Sequence, residues 1–327
     1  MFALPYNFVS YPDLMLSIRS NIARVPREID LIVGIPRSGM IPAYALALYL
    51  NVQVSDLSSF LERRTPTHGR TRAPVRVSSD PFEARHVLLV DDSCLGGGTL
   101  EHARSAILAA GFDGEIVTCA AIVAPEAASR VDVWFAEIPL PRVFEWNVFH
   151  HSIIEDACVD LDGVLCVDPL GHENDDGPNY AAFMANVRPL HVPSRPIGHI
   201  VSARLEKYRS PSEEWLARHG IRYGQLHLLD LPSAAERVRM RAHHKHKSEV
   251  YRRVGARLFI ESDDTQAAEI AQTTGRPVLC ATNMKLYSGN GVYLRNIASY
   301  ALRERRGAAD VMRSVRRRCA TLLQRMR

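Results

Sequence analysis

Residues 87–99 constrain the fold more than any other part of the chain, and they read VLLVDDSCLGGGT. The first four residues are large and apolar, which is typical of a strand buried on both faces of a parallel sheet. The three glycines that follow let backbone N–H groups gather around one anion, and a helix predicted from about Leu100 adds partial positive charge at its N-terminus. The segment therefore predicts a strand, a turn and a helix arranged around a phosphate group.

Two carboxylates, Asp91 and Asp92, stand just before this turn. Both would repel a phosphate, so neutral hydroxyls or Mg²⁺ are their natural partners. Thr99 can donate its hydroxyl to a phosphate and cap the helix. These features predict a pocket for a sugar phosphate, with hydroxyls at one end and phosphate at the other. The structural alternative is a tight glycine turn that follows a strand ending in aspartates.

Along its whole length this segment resembles the PRPP-binding motif of type I phosphoribosyltransferases. The resemblance implies that Asp91 and Asp92 bind the 2- and 3-hydroxyls of the ribose. It also implies that the loop wraps the 5-phosphate, through Leu95, Gly96, Gly97, Gly98 and Thr99. Leu95 is a departure, because the family often has a small residue there.

A second segment, GIPRSG at residues 34–39, resembles the pyrophosphate loop of the same family. It lies between a strand predicted at residues 31–34 and a helix predicted at residues 41–50. The resemblance implies that Arg37 faces the pyrophosphate and that Ser38 and Gly39 supply backbone donors. A capped helix start would have a similar sequence.

Residues 63–76 (RRTPTHGRTRAPVR) are polar, broken by prolines and rich in arginine. They lie where the family has a mobile loop that closes over PRPP. Closure of a basic loop over a pyrophosphate leaving group would stabilise developing charge and exclude water. The sequence does not choose among Arg63, Arg64, Arg70 and Arg72, and a solvated basic loop is the alternative.

The second half of the chain contains VDLDGVL at residues 159–165, which places two carboxylates at a predicted strand end. In such a pair one carboxylate can attack phosphorus while the other protonates the leaving oxygen, and Mg²⁺ balances the charge. The segment resembles motif I of the haloacid dehalogenase (HAD) superfamily, which implies catalytic roles for Asp160 and Asp162. The same short pattern also occurs in calcium loops.

Later segments resemble motifs II and III of that superfamily. Ser202 follows a predicted strand at residues 197–201, as the hydroxyl residue that contacts the phosphoryl group does. Lys247, in a Lys-x-Glu-x-Tyr pattern, is favoured over Lys245 as the lysine that balances charge. The alternative for either lysine is a solvated helix face.

Motif IV corresponds to LFIESDD at residues 258–264, where Ser262 occupies the usual aspartate position. Glu261, Asp263 or Asp264 must then supply the ligand that the family uses for Mg²⁺. The implied metal ligands are Asp160, Asp162, Glu261 and Asp263.

Strand-like and helix-like segments alternate in both halves, which predicts an α/β protein with parallel sheets. We expect a type I phosphoribosyltransferase domain at residues 1–152, with a parallel sheet flanked by helices. A HAD-like Rossmannoid domain is expected at residues 153–286, and a helical tail at residues 287–327. The stretch between Asp162 and Ser202 allows only a minimal cap, so the second site should be open and suited to a bulky or tethered substrate.

The net charge of +4 comes from the tail, because residues 301–327 contain nine arginines against Glu304 and Asp310. Basicity confined to the tail argues against specific nucleic-acid binding. Apolar residues at helical spacing between the arginines predict a basic amphipathic helix, which would either lie on an anionic membrane surface or pack on its own domain. Scattered cysteines, no spanning apolar run and no signal-peptide pattern favour a cytoplasmic protein, with peripheral contact at the inner face of the cytoplasmic membrane.

Together the two resemblances imply a bifunctional enzyme. It is similar to the paired phosphoribosyltransferase and HAD phosphatase that install ribofuranose in bacterial surface polysaccharides. PRPP would donate a 5-phosphoribosyl group to a surface glycan or its lipid-linked precursor, and removal of the 5-phosphate would leave ribofuranose. One alternative is a nucleobase phosphoribosyltransferase fused to a nucleotidase. Another is a PRPP-sensing regulator without enzymatic activity.

Overall fold

The computed structural model describes residues 6–289, apart from residues 73, 75, 175 and 241. Within this range the chain divides into two compact units, one formed by residues 11–142 and the other by residues 6–10 together with residues 143–289. The division lies earlier in the chain than the boundary predicted after residue 152. The predicted tail helix lies outside the described residues.

The described residues contain strands and α-helices in alternation through most of both units. The strands are β1 (Asn7–Val9), β2 (Leu31–Gly34), β3 (Gln53–Asp56), β4 (His86–Cys94), β5 (Glu115–Val123), β6 (Val133–Glu137), β7 (Arg142–Phe144), β8 (Ala157–Val159), β9 (Ile197–Leu205), β10 (Tyr223–Leu229), β11 (Leu258–Glu261), β12 (Val278–Cys280) and β13 (Lys285–Tyr287). The helices are α1 (Tyr11–Asn21), α2 (Met40–Leu50), α3 (Leu57–Leu61), α4 (Gly98–Ala109), α5 (Pro178–Asn186), α6 (Arg209–Arg218), α7 (Ala234–Arg239), α8 (Ala242–Val254) and α9 (Asp264–Thr274). None of the helices in this part of the chain is long and apolar enough to cross a membrane.

The first unit is built on a parallel sheet with the strand order β3-β2-β4-β5-β6. The strands predicted at residues 31–34 and from Val87, and the helices predicted at residues 41–50 and from about Leu100, are confirmed. Strand β4 runs beyond its predicted end, because its last residues still pair with β5: Cys94 lies opposite Val123. Asp91 and Asp92 therefore belong to the strand, and the phosphate-loop segment begins only after it.

Helix α4 is fixed by its apolar face, on which Leu100, Ala103 and Ile107 are buried at helical spacing. They belong to the same core cluster as the buried side chains of β4. Burial of an aliphatic side chain of this size contributes about 1.5–3 kcal/mol. This packing holds the N-terminus of α4 next to the end of β4.

The second unit contains a six-stranded sheet with the order β10-β9-β8-β11-β12-β13, parallel except for β13. Strand β8 lies between β9 and β11, where Val159 is opposite both Ile200 and Ile260. The carboxyl ends of these three strands therefore meet at one edge of the sheet. The strands predicted at residues 157–159, 197–201 and 258–260 are confirmed, and α5 is the α-helix recorded between β8 and β9 among the described residues.

Candidate active sites

The predicted phosphate loop and the acidic pair line one cavity of about 380 Å³ in the first unit. Its wall includes residues 93–100 together with Asp91, Asp92 and Ser38. Gly97 has the left-handed φ of +85° and its carbonyl accepts the first bond of α4, from the Glu101 N–H. The acidic pair and the glycine turn thus lie in the same cavity, and their roles toward hydroxyls and phosphate stay predictions.

The predicted pyrophosphate loop approaches β4 closely at Gly39. A Cβ atom on Gly39 would lie 2.5 Å from the Ile35 carbonyl oxygen and 2.8 Å from the Val90 carbonyl oxygen. Only glycine can therefore occupy this position without displacing backbone. Arg37 is exposed, and its assignment as a pyrophosphate ligand stays a prediction.

Asp91 and Asp92 are both buried, with 8% and 7% exposure. Burial, followed by the charge of Asp92, raises the pKa of Asp91 to about 7. The Asp92 N–H donates to the Asp91 carboxylate at 2.9 Å. Two adjacent carboxylates in a buried wall favour a ligand that donates hydroxyl hydrogens to both of them.

Two arginines that the sequence motifs did not single out contact the phosphate loop. Arg130 donates to the Gly96 carbonyl at 3.0 Å, and a Cβ atom on Gly97 would lie 3.4 Å from its side-chain carbons. Arg142 is buried at the start of β7 and donates to the Cys94 carbonyl at 3.4 Å. The Arg142 guanidinium also interacts electrostatically with the Asp92 carboxylate.

Replacement of Arg130 by glutamine should weaken PRPP binding about tenfold. A hydrogen bond from a charged group contributes about 1.5–3 kcal/mol, and each 1.4 kcal/mol changes affinity about tenfold. Calorimetric titration of the full chain with PRPP measures the effect. Arg104→Gln, on the exposed face of α4, is the matched control and should bind like the unaltered protein. Equal affinities for both variants would show that Arg130 does not support the loop.

Several arginines of the segment at residues 63–76 form ion pairs with acidic residues. Arg63 pairs with Asp80, Arg64 with Glu62 and Arg76 with Asp30. Arg70 and Arg72 are exposed, and no ion pair is recorded for them within the described residues. Arg63 and Arg64 remain 56% and 68% exposed in their ion pairs, and which arginine closes over PRPP stays a prediction.

In the second unit, Lys247 bridges two of the predicted acidic residues. Its Nζ atom lies 2.6 Å from Asp160 Oδ2 and 2.7 Å from Glu261 Oε2, and all three side chains are buried. Burial would lower the pKa of Lys247, but the two carboxylates outweigh it and raise that pKa above its ordinary value. Burial raises the pKa of Asp160, and Lys247 opposes this shift. Lys245 is exposed and donates to the Met240 carbonyl instead.

Asp162 forms a two-pronged ion pair with Arg204. Arg204 Nη2 lies 2.6 Å from Asp162 Oδ1, and Nε lies 3.0 Å from Oδ2. The Arg204 side chain is fully buried, while that of Asp162 is 19% exposed. Burial would raise the pKa of Asp162, but the charge and hydrogen bonds of Arg204 outweigh it and lower that pKa below its usual range.

Arg204 lies two residues after Ser202 on β9, in the stretch from Val201 to Leu205 where the pairing with β10 shifts register. Ser202 is buried, and its Oγ accepts the Arg204 N–H at 3.2 Å. The sequence motifs did not single out Arg204, and its position two residues after Ser202 was the available signal. The role of Ser202 toward a phosphoryl group stays a prediction.

The oxygens of the predicted metal ligands are held by protein donors. Asp160 and Glu261 contact Lys247, Asp162 contacts Arg204, and Asp263 caps α9 by accepting the Gln266 N–H at 2.8 Å. Within the described ranges, no group of three or more His, Cys, Asp or Glu side chains is arranged to hold a metal ion. The assignment of metal ligands therefore stays a prediction.

Comparison with protein families places residues 12–154 in the phosphoribosyl transferase domain. A comparison with curated protein sequences gave no match. Among solved structures, the chain is similar to the purine phosphoribosyltransferase from Pyrococcus horikoshii Ot3, with 23% identity over 42% of this chain and 92% of that one and a TM-score of 0.32. It is also similar to the xanthine-guanine-hypoxanthine phosphoribosyltransferase of Helicobacter pylori, with 16% identity over 45% and 95% of the two chains and a TM-score of 0.33.

Proposed function

We propose that the chain transfers the 5-phosphoribosyl group of PRPP to an acceptor, because residues 12–154 match the phosphoribosyl transferase domain family. The observation that carries the proposal is the single cavity lined by Asp91, Asp92 and residues 93–100. The acidic pair accepts hydrogen bonds from the ribose hydroxyls, and the loop amides hold the 5-phosphate. The acceptor hydroxyl oxygen forms the new bond to ribose C1 and its proton leaves to water, while the bond between C1 and pyrophosphate breaks and its electron pair leaves with pyrophosphate. In-line attack on α-linked PRPP gives a β-linked product.

Arg70 and Arg72 are proposed to close over the pyrophosphate, because the other arginines of their segment are held by acidic residues. A cation brought to the leaving group stabilises the charge that develops on it. Arg37 is proposed as a further contact to the pyrophosphate, and Ser38 and Gly39 as backbone donors.

The second unit is proposed to be a HAD-type phosphatase that removes the 5-phosphate. Support comes from the buried cluster of Asp160, Lys247 and Glu261 at the carboxyl edge of the sheet. Asp160 attacks phosphorus, the bond to the ribose 5-oxygen breaks, and water then releases phosphate from the aspartyl phosphate. Lys247 balances the added negative charge. For Asp162 to protonate the leaving oxygen, Arg204 must release one oxygen of the Asp162 carboxylate, and that oxygen must first take up a proton from water.

Mg²⁺ is the proposed cofactor, since carboxylate oxygens are the ligands it prefers. Asp160, Asp162, Glu261 and Asp263 would hold it in the second unit. When bound, the ion neutralises charge that carboxylates and phosphate bring together.

The proposed acceptor is a bacterial surface glycan or its lipid-linked precursor, reached from the cytoplasmic side with peripheral membrane contact through the tail. Transfer followed by loss of the 5-phosphate leaves a ribosylated acceptor and makes the sequence irreversible. Salvage of a nucleobase gains nothing from the same order of steps, because dephosphorylation destroys the nucleotide just made. The family match is equally compatible with a nucleobase acceptor, so the acceptor is decided by experiment.

The experiment incubates the full chain with PRPP, Mg²⁺ and panels of nucleobases and synthetic or lipid-linked glycans. Pyrophosphate release and mass spectrometry of the products are the measurements. We expect glycan-dependent release and a glycan heavier by one anhydroribose unit. Release that depends on a nucleobase would overturn the glycan acceptor. Binding of PRPP without release in any panel would indicate the sensor instead.

A further inference from the structure

A cavity of about 560 Å³ lies in the second unit, between the segment that follows Asp162 and helix α5. One wall is formed by residues 167–173 and the other by α5 with Val187 and Arg188. Its volume is within the range of small-molecule sites, about 300–1,000 Å³. No step proposed above uses this cavity.

Asp168 connects the cavity to the carboxylate site. It lines the cavity, and a Cβ atom on Gly163 would lie 2.6 Å from its Oδ2 atom. Gly163 has the left-handed φ of +77° and directly follows Asp162. The charges of Asp162 and Glu261 act on Asp168. Asp168 therefore joins the cavity to the turn that directly follows the Asp160 and Asp162 pair.

The lining of the cavity suits neutral hydroxyl groups better than a second anion. It carries two carboxylates, Asp168 and Glu173, against Arg188 and His172. Asn179 and Asn186 add amide groups, and the Asn186 amide donates one N–H to the Ala182 carbonyl, which leaves its oxygen and second N–H for a ligand. One Glu173 oxygen accepts the Leu170 N–H, so the other oxygen and the Asp168 carboxylate are the acceptors for hydroxyls. Phe183 adds only a small apolar surface, because the residue is 7% exposed.

The two walls are held in place without a ligand. The Val167 N–H donates to the Arg188 carbonyl at 3.2 Å, and Trp215 Nε1 donates to the Val187 carbonyl at 2.9 Å. Trp215 is fully buried. A cavity whose walls are already fixed loses little conformational entropy when a ligand binds.

We infer that this cavity binds a sugar ring of the substrate, namely the glycosyl residue next to the ribose 5-phosphate. The inference rests on the proposed function, because it assigns a place to the glycan that the first unit ribosylates. With a sugar ring bound in this cavity, the segment between β8 and β9 is the part of the second unit that distinguishes a ribosylated glycan from a free ribose phosphate.

Direct binding tests the cavity without any catalytic step. The probe is an unphosphorylated β-ribofuranosyl-hexoside, added to the full chain while NMR follows the side-chain amides of Asn179 and Asn186. In the unaltered protein we expect the probe to shift the resonances of these amides. In the Asn186→Ala, Arg188→Ala double variant we expect an affinity for the probe about tenfold lower, which corresponds to the loss of about 1.4 kcal/mol in hydrogen bonds. Arg195→Ala, an exposed residue of the same unit, is the control and should bind normally. Absence of amide shifts overturns the inference.

A kinetic arm separates this inference from the proposed phosphatase. Both substrates carry a phosphate on the 5-oxygen of the ribose. One is the phosphorylated form of the β-ribofuranosyl-hexoside probe, and the other is the phosphorylated form of methyl β-ribofuranoside, which lacks the hexose. The double variant should have about a tenfold higher KM for the hexoside and an unchanged kcat/KM for the methyl riboside. Equal KM increases for both substrates would contradict the sugar cavity. If neither is hydrolysed by the unaltered protein, the proposed phosphatase fails, while the binding arm still decides the cavity.

Discussion

Asp160→Asn is expected to leave phosphoribosyl transfer intact and to stop dephosphorylation, so that a 5-phosphorylated product accumulates. The amide has nearly the shape of the carboxylate but no anionic oxygen to attack phosphorus, and loss of a nucleophile of this kind lowers kcat by about 10³-fold or more. Mass spectrometry distinguishes the phosphorylated product from the finished one, and phosphate release gives the rate.

The matched control is Asp156→Asn, an exposed carboxylate of the same unit that pairs with Arg257. It should release phosphate at the rate of the unaltered protein. Circular dichroism and PRPP binding check that the Asp160 variant is folded. If that variant yields the same dephosphorylated product at the same rate, the two-step mechanism is wrong.

Arg204→Leu is expected to destabilise the second unit by about 3–5 kcal/mol, because it leaves the Asp162 carboxylate half-buried without its partner. Urea unfolding followed by tryptophan fluorescence measures the change. Arg195→Leu breaks the exposed ion pair with Glu155 and should cost only about 0–1 kcal/mol. The double variant Arg204→Leu, Asp162→Leu should recover much of the loss, since paired apolar replacements of buried ions are often neutral.

The destabilisation should also depend on pH. Arg204 lowers the pKa of Asp162 in the folded protein, so the folded state binds that proton less readily than the unfolded chain does. The stabilisation is therefore present above the pKa of an unfolded aspartate and is lost as the pH falls through the folded pKa. The difference between the unaltered protein and Arg204→Leu should shrink in acid. A difference below 1 kcal/mol at neutral pH would contradict the role given to this ion pair.

The elements that carry the first site were predictable, because their signals are local. Apolar runs gave the buried strands, and the glycines after Asp92 gave the turn into α4. The end of β4 was placed too early, since pairing with β5, and not the polarity of Asp91 and Asp92, decides where the strand stops. Pairing depends on a neighbouring strand that a local pattern does not describe.

The residues that the motifs did not reveal act through contacts distant along the chain. Arg130 reaches Gly96, and Arg204 reaches Asp162, across long sequence separations. An isolated arginine has no sequence signature for the partner it will meet. The Lys-x-Glu-x-Tyr pattern favoured Lys247 over Lys245 as the charge-balancing lysine. In the fold, Lys247 is buried between two carboxylates while Lys245 is exposed.

The extension of β4 through the acidic pair gives the first cavity two ends of different stiffness. Asp91 lies in a sheet ladder opposite Ala120 and is fixed by its neighbours. A Cβ atom on Gly96 or Gly98 would meet nothing within 4 Å, so the loop has open space beside it. Under the proposed function, the strand end would fix the position of the sugar hydroxyls, and the loop, with room beside its glycines, would adjust to the phosphate. Selectivity for the pentose would then depend on the strand, and tolerance in how the phosphate is seated would depend on the loop.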